Sequence, residues 1–259
     1  QKQRPKSDTI KHALVSHKWL YLMLIPGVLY MLIFNYLPMG GLVMAFQEFS
    51  PYNGDSMIGA FLQSPFVGLS VFKKFFTGPD FLQLLKNTLS ISITSLIFYF
   101  PAPIILALLL NEIKNAAFKR VTQTMVYIPH FISMVIVAAL TAQLFSTTDG
   151  LVYHWLVEIF GRNNAPDVMS NPRLFVPMIV GQNMWKETGY GTIIFLAALS
   201  GVDVQLYEAA EVDGANRWQK MWHITLPAIK STIVIMLILK VGSILNTGYE
   251  QIFLMQNDL

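Results

Sequence analysis

Apolar residues in this chain gather into runs of roughly 20, the length at which an α-helix rising about 1.5 Å per residue crosses a hydrocarbon core roughly 30 Å thick. Five such runs occupy residues 19–44, 88–110, 121–145, 174–199 and 229–248. Hydrocarbon offers backbone N–H and C=O groups no water, so a segment crossing it must satisfy them internally, as a helix does. The expected fold class is an all-α polytopic membrane protein with five visible spans. Composition agrees, since 54% of the 259 residues are hydrophobic and only 13% are charged. Prolines 26, 38, 101, 103, 129 and 177 fall in or at the ends of the runs. A proline lacks one N–H and crowds the carbonyl four residues back, so kinked helices around a cavity are expected, with ordinary kinks and no cavity as the plain alternative.

The charges lie mostly between the runs and bear on topology. With the N-terminus inside, Lys2, Arg4, Lys6, Lys11, Lys18, Lys114, Lys119, Arg120, Arg217, Lys220 and Lys230 are cytoplasmic, while Lys73, Lys74, Lys86, Arg162 and Arg173 are external. Eleven against five favours that orientation under the positive-inside rule. The net charge of +3 comes without a basic patch interleaved with aromatics, so nucleic acid is not an expected partner. The chain has no cysteine, which excludes disulfides, thiolate metal sites and thiol nucleophiles. The first run follows basic residues as a signal peptide would, but it is too long and lacks a small-residue cleavage site, so an uncleaved span is expected. Gln1 in place of Met, and an end at Leu259 soon after an apolar run, suggest a chain trimmed at both ends.

Two connectors carry structure of their own. Residues 66–76 are dense in phenylalanine and include Lys73 and Lys74, a pattern for an interfacial helix flat on the outer surface, stopped by Gly78-Pro79 before Asp80. Residues 150–172 read as an external loop holding a short amphipathic helix over 153–160, either a connector or a place to meet an external partner.

Between the fourth and fifth runs lies a polar piece, residues 203–228, which the same orientation puts in the cytoplasm. Asp203 can accept the free N–H groups of the first turn of a helix over 204–212, and Gly214 can end it in the left-handed conformation. A second short helix is predicted over 216–223, before Pro227. Glu208 and Glu211 lie three apart on one face, and Ala209 and Ala210 are small enough for a partner to come close, which suits a helix laid in a partner's groove. Helix propensity alone would also put Glu and Ala in a solvated connector. The spacing decides between them: Glu208-Ala209-Ala210, three residues, Gly214, nine residues, Ile224, one residue, Leu226-Pro227. This pattern resembles the EAA loop of bacterial binding-protein-dependent ABC importer permeases of the type I, MetI-like fold, and Glu211, Asp213 and Ala215 belong to the same stretch.

The resemblance extends through residues 109–120 (LLNEIKNAAFKR), 127–133 (YIPHFIS) and 197–214, which are similar to the oligosaccharide and polysaccharide, LplB-like branch of these permeases. Residues 66–89 also resemble that branch's entry to its core. It implies that residues 1–65 hold the cytoplasmic N-terminus, first span and external loop, and 66–259 the permease core, with a sixth span missing after 251–259. It further implies a half-translocator in the bacterial cytoplasmic membrane. Its partners would be a second, related but distinct permease, two ATPase subunits that receive the coupling loops, a solute-binding protein outside, and membrane lipid. Such a chain is not an enzyme and binds no cofactor, ATP and Mg residing on the ATPases. No Gly-Lys dipeptide occurs, so the chain has no G-x-x-x-x-G-K-[ST] phosphate loop.

A charge at the bilayer centre costs roughly 2.5–3.5 kcal/mol on insertion scales, so Lys186, Glu187 and Lys240 must pair or face a wet cavity. Helical spacing puts Gln182, Asn183, Lys186, Glu187 and Tyr190 on one stripe and Lys240, Ser243, Thr247 and Glu250 on another, as for a substrate pathway lined by two helices. Trp185 and Tyr190 would offer ring faces to sugar C–H groups. The competing expectation is that Glu187 neutralises Lys186 or Lys240 as a structural pair. His130, Ser133, Thr141, Thr88, Ser92, Ser95 and Tyr99 add polar groups without an assigned role. If both lysines face the pathway, the cargo is anionic, for instance a uronate-containing oligosaccharide. The alternatives are a similar permease for amino acids or osmolytes, an intramembrane hydrolase using His130 and Glu187 without an HExxH or GxSxG motif, and a noncatalytic scaffold.

Overall fold

A computed structural model describes residues 16–256; Lys2, Arg4, Lys6 and Lys11 of the topology count lie outside them. The chain divides into two compact units, Gln1–Leu82 and Gln83–Leu259. In the first, α1 (Lys18–Phe46) is a 29-residue apolar helix of which the chain itself buries nothing. Then come α2 (Met57–Gln63) and α3 (Ser70–Thr77). Phenylalanines tie this unit together: Phe46 sits 6.3 Å from Phe66 and 5.3 Å from Phe72, and Phe81 meets Phe75 and Phe76 edge-on.

The second unit is built from α4 (Phe81–Asn111), α5 (Ala116–Phe131), α6 (Met134–Leu144), α7 (Leu151–Phe160), α8 (Pro172–Ser200), α9 (Val204–Val212), α10 (Arg217–Ala228), α11 (Lys230–Gly242) and α12 (Tyr249–Leu254). By length and composition α1 and α4 could each cross a membrane alone, and up to five spans result when each bent pair counts as one.

Three expectations need correction. The third run is not one straight helix: α5 and α6 meet at 95°. Pro129 sits in a 3-10 turn over Ile128–Phe131, Ile132 and Ser133 are extended, and the Ser133 hydroxyl accepts the Ile136 N–H to start α6 afresh. The second helix of the 203–228 piece does not stop at 223 but continues through Pro227 to Ala228, where a 60° bend leads into α11. The fifth helix ends at Gly242 rather than 248, followed by a linker and the six-residue α12, whose N-cap Gly248 has φ +79°.

Proline explains another regularity. Wide π-turns at Leu32–Tyr36, Ser95–Tyr99 and Met221–Thr225 each end two residues before a proline: Pro38, Pro101 and Pro227. The extra residue in the turn shifts the carbonyl that the pyrrolidine ring would strike, so the helix continues where a strict α-helix would break.

Two apolar clusters hold the second unit. One joins Ile104, Ala107, Phe195, Leu199 and Ile229; the other joins Ile91, Ala138, Ile179 and Met255. Both α4 and α8 pass through both clusters. Between them α8 carries Gln182, Asn183, Lys186 and Glu187, and α4 carries Ser92, Ser95 and Tyr99. A polar belt is thus held between two dry layers. Helices approach closely beside it: a Cβ on Gly189 would stand 1.8 Å from the Val126 carbonyl oxygen of α5, and one on Gly191 would meet the Pro103 ring of α4 at 3.0 Å.

Candidate functional site

The polar belt opens into a cavity of about 350 Å³. Ser92, Ser95 and Tyr99 of α4, Asn183 and Glu187 of α8, Lys240 of α11, and Ser243, Asn246, Thr247, Glu250 and Gln251 beyond it line the space. Of the residues expected along a pathway, Asn183, Glu187, Lys240, Ser243 and Thr247 face the cavity; Gln182, Trp185, Lys186 and Tyr190 do not. The second stripe is therefore real in space but not for the helical reason, because the helix ends at Gly242 and the linker folds Thr247 and Glu250 back to the same wall.

Lys186 and Tyr190 hold the broken third span. The Lys186 ammonium donates to Glu187 Oε1 and to the His130 carbonyl, both at 2.8 Å. His130 Nδ1 lies 2.7 Å from Glu187 Oε2, so the tautomer protonated there donates to the carboxylate. The His130 ring stacks on Tyr190 at 3.8 Å with 5° between planes. Glu187 is thus paired with Lys186, as the structural expectation had it, and the pair clasps α8 to the α5–α6 break. Trp185 is half exposed on another face of α8.

Gln182 is buried in a chain of amides. Its amide donates to Thr141 Oγ1 at 2.8 Å, and its Oε1 accepts from Gln251 at 2.7 Å. Gln251 also donates to the Ile179 carbonyl at 3.0 Å and accepts from Asn183 at 2.8 Å. Ser92 donates to the Ile244 carbonyl, one of those freed where α11 stops. Asn246 and Gln251 belong to neither polar stripe, because a run helical to 248 gives them no place on the cavity face; the Asn246-Thr247-Gly248 cluster is the sign of a turn in the sequence.

The polar piece over 203–228 forms a pair of helices, the first of them over the expected residues. Asp203 accepts the Gln205 N–H at 2.9 Å, and α9 spans Val204–Val212. Its C-terminus closes in a Schellman arrangement: Ala215 N–H donates to the Ala210 carbonyl, Gly214 N–H to that of Glu211, and Gly214 takes φ +76°. Asn216 and Gln219 make a reciprocal capping box at the start of α10. Lys220 donates to Glu211 at 2.5 Å and Tyr207 meets Thr225 at 3.0 Å, so the two helices are pinned twice. Glu208, Ala209, Val212, Asp213 and Pro227 remain exposed, while Leu226 packs on the apolar cluster at the base. Burial leaves the Glu211 carboxylate open to water, yet the Lys220 hydrogen bond, and then its charge, hold that carboxyl below its ordinary value.

A sequence model of the family described as binding-protein-dependent transport system inner membrane component matches residues 99–258. The chain belongs to that family. The permease is 52% identical over 247 residues to protein LplB of Bacillus subtilis (strain 168), covering 95% of this chain and 75% of the relative. It is 48% identical over 257 residues to the polygalacturonan/rhamnogalacturonan transport system permease protein YteP of the same organism, covering 99% and 77%. Its structure matches that of a bacterial ABC transporter involved in the import of the acidic polysaccharide alginate, with TM-score 0.85 and 38% identity over 96% of this chain and 81% of that one. A second structure of the alginate transporter, in complex with an alginate pentasaccharide-bound periplasmic protein, gives 0.83 at 38% identity, covering 95% and 79%. The permease is accordingly a multi-pass component of the cytoplasmic membrane with the type I importer fold, and a transport subunit rather than an enzyme. The hydrolase reading is not favoured.

Proposed function

We propose that this permease is one half of an ATP-driven importer of oligosaccharides, that its exposed α9–α10 pair is the seat for a cytoplasmic ATPase, and that the cavity between α4, α8 and α11 belongs to the cargo path. One observation carries the reading. The helices that line the cavity run directly into the docking pair: α8 bends by 71° into α9, and α10 bends by 60° into α11, which bears Lys240. A displacement of the pair by a motor therefore reaches the cavity through two helical levers jointed at these bends, a route for the coupling that ATP-driven transport needs. Relatives named for polygalacturonan, rhamnogalacturonan and alginate support an oligosaccharide over an amino acid or osmolyte. The alginate-loaded periplasmic protein in the similar complex supports a solute-binding protein as the external partner. The remaining partners are a second, related permease and two ATPase subunits, with the N-terminus on the cytoplasmic side.

Purification from the native membrane in mild detergent tests this. An ATPase and a second permease should accompany the wild type. The ATPase should be depleted with Gly214→Pro, because φ +76° lies far from the roughly −65° that proline allows. A wild-type chain that emerges alone in every mild detergent overturns the proposal.

A further inference from the structure

We propose that Lys240 reads the carboxylate of an acidic sugar unit lodged in the cavity of the polar belt, so that the permease itself, and not only its binding protein, selects acidic oligosaccharides. This deepens the oligosaccharide reading above and rests on it.

Lys186 and Lys240 both lie within apolar helices, and the structure separates their roles. Lys186 is committed to Glu187 and the His130 carbonyl. Lys240 makes no ion pair and no side-chain hydrogen bond among the described residues; its Nζ lies over the Tyr99 ring, 5.1 Å from the centroid. A ring face attracts an ammonium through its quadrupole but takes none of its hydrogen-bonding capacity in the way a carboxylate does. An ammonium in a span without an anionic partner is costly to hold, and it is expected where a pathway needs one. Here it faces a cavity of about 350 Å³, inside the range of roughly 300–1,000 Å³ that small-molecule sites occupy and large enough for a short saccharide segment.

The cavity's own carboxylates are Glu187 and Glu250. Both oxygens of Glu187 are engaged, by Lys186 and His130, so it does not neutralise Lys240. Glu250 is exposed at the start of α12 and makes no ion pair among the described residues. With Asn183 and Asn246 it offers acceptors and donors for sugar hydroxyls. One uncommitted cation together with several hydroxyl-binding groups matches a uronate, which carries one carboxylate among several hydroxyls. A neutral sugar would leave Lys240 without a partner, and an amino sugar would bring a like charge to it.

The test uses the complete complex of both permeases, ATPases and solute-binding protein in proteoliposomes. Its cargoes are an oligogalacturonate and the same oligosaccharide with its carboxyls reduced to alcohols, each at concentrations that saturate the binding protein. The wild type should prefer the acid. Lys240→Gln should lower import of the acid by at least about tenfold, the worth of one hydrogen bond to a charged group, and lower the acid-to-neutral ratio with it. Lys240→Arg should keep most of that ratio, which separates loss of charge from loss of fold. An unchanged ratio in Lys240→Gln, or a wild type that imports both cargoes equally, overturns the inference while the oligosaccharide reading stands. A wild type that imports neither cargo overturns both.

Discussion

Residues that look alike in sequence do different work at this site. Lys186 and Lys240 are both lysines within apolar helices, yet the first is one leg of a clasp and the second faces the cavity. The clasp is only partly sheltered, with Lys186 at 12% and Glu187 at 29% side-chain exposure. Removing one partner should therefore cost more than the roughly 0–1 kcal/mol of a surface pair and less than the about 3–5 kcal/mol of a fully buried one. Glu187→Gln should lower thermal stability in detergent by that intermediate amount, and Lys186→Met combined with Glu187→Met should recover part of it, because no lone ammonium is left behind. Additive losses in the double variant would show that the two do not interact. Glycine supplies a sharper contrast two residues away. A methyl on Gly189 has no room against the Val126 carbonyl, whereas one on Gly181 meets nothing within 4 Å. Gly189→Ala should destabilise by about 1–3 kcal/mol or more through backbone displacement, and Gly181→Ala should be neutral or slightly stabilising in the same melts. Equal melting temperatures for the two would contradict the close packing of α8 on α5.

Among the elements, the α9–α10 pair shows what local chemistry can specify by itself. An Asp cap, a left-handed glycine and a capping box are all encoded within a few residues, so the bounds of α9 could be read from the chain without tertiary knowledge. The break between α5 and α6 was less legible, because Pro129 is tolerated inside membrane helices and only the extended Ile132-Ser133 pair, set by packing, turns a kink into a 95° corner. The same holds for the end of α11: the apolar run continues past Gly242, and helical spacing groups Ser243 and Thr247, which do line the cavity, while giving them the wrong backbone. Asn246 and Gln251, supplied by the linker and α12, had no periodicity to reveal them. Within the α9–α10 pair, Glu211 links the helices through Lys220. Its pKa is lowered in the folded state, so the link contributes above the ordinary carboxylate pKa and is lost as pH falls through the lowered value. Spin labels on Val212→Cys and Trp218→Cys should give a narrow separation at neutral pH that broadens in acid. Glu211→Gln should already be broad at neutral pH and insensitive to acid. Identical behaviour of the two proteins would remove the pair from any role in ordering the element.

For the molecule as a whole, the decisive relation is between the α9–α10 pair, proposed as the ATPase seat, and the membrane. Two apolar clusters enclose a polar belt, and two of the helices that cross this arrangement end in the α9–α10 pair. A motor attached to that pair acts on the belt only if the pair lies on the side where ATP is found. The count of basic residues argues for this side, and its strength rests on flanks close to the helix ends, such as Lys114, Lys119 and Arg120 around the start of α5 and Arg217, Lys220 and Lys230 around α10 and α11. None of these 259 residues is cysteine, which makes the arrangement directly testable, since a single introduced thiol is the only one among them. Val212 is 90% exposed in α9, and Ile159 is 72% exposed in α7, which the chain reaches before crossing back through α8. In intact cells a membrane-impermeant maleimide should label Ile159→Cys and spare Val212→Cys, and in inside-out vesicles the two should exchange. The reverse pattern would put the docking pair outside, where no nucleotide-driven subunit could reach it, and coupling through α9 would then be untenable whatever the cavity binds.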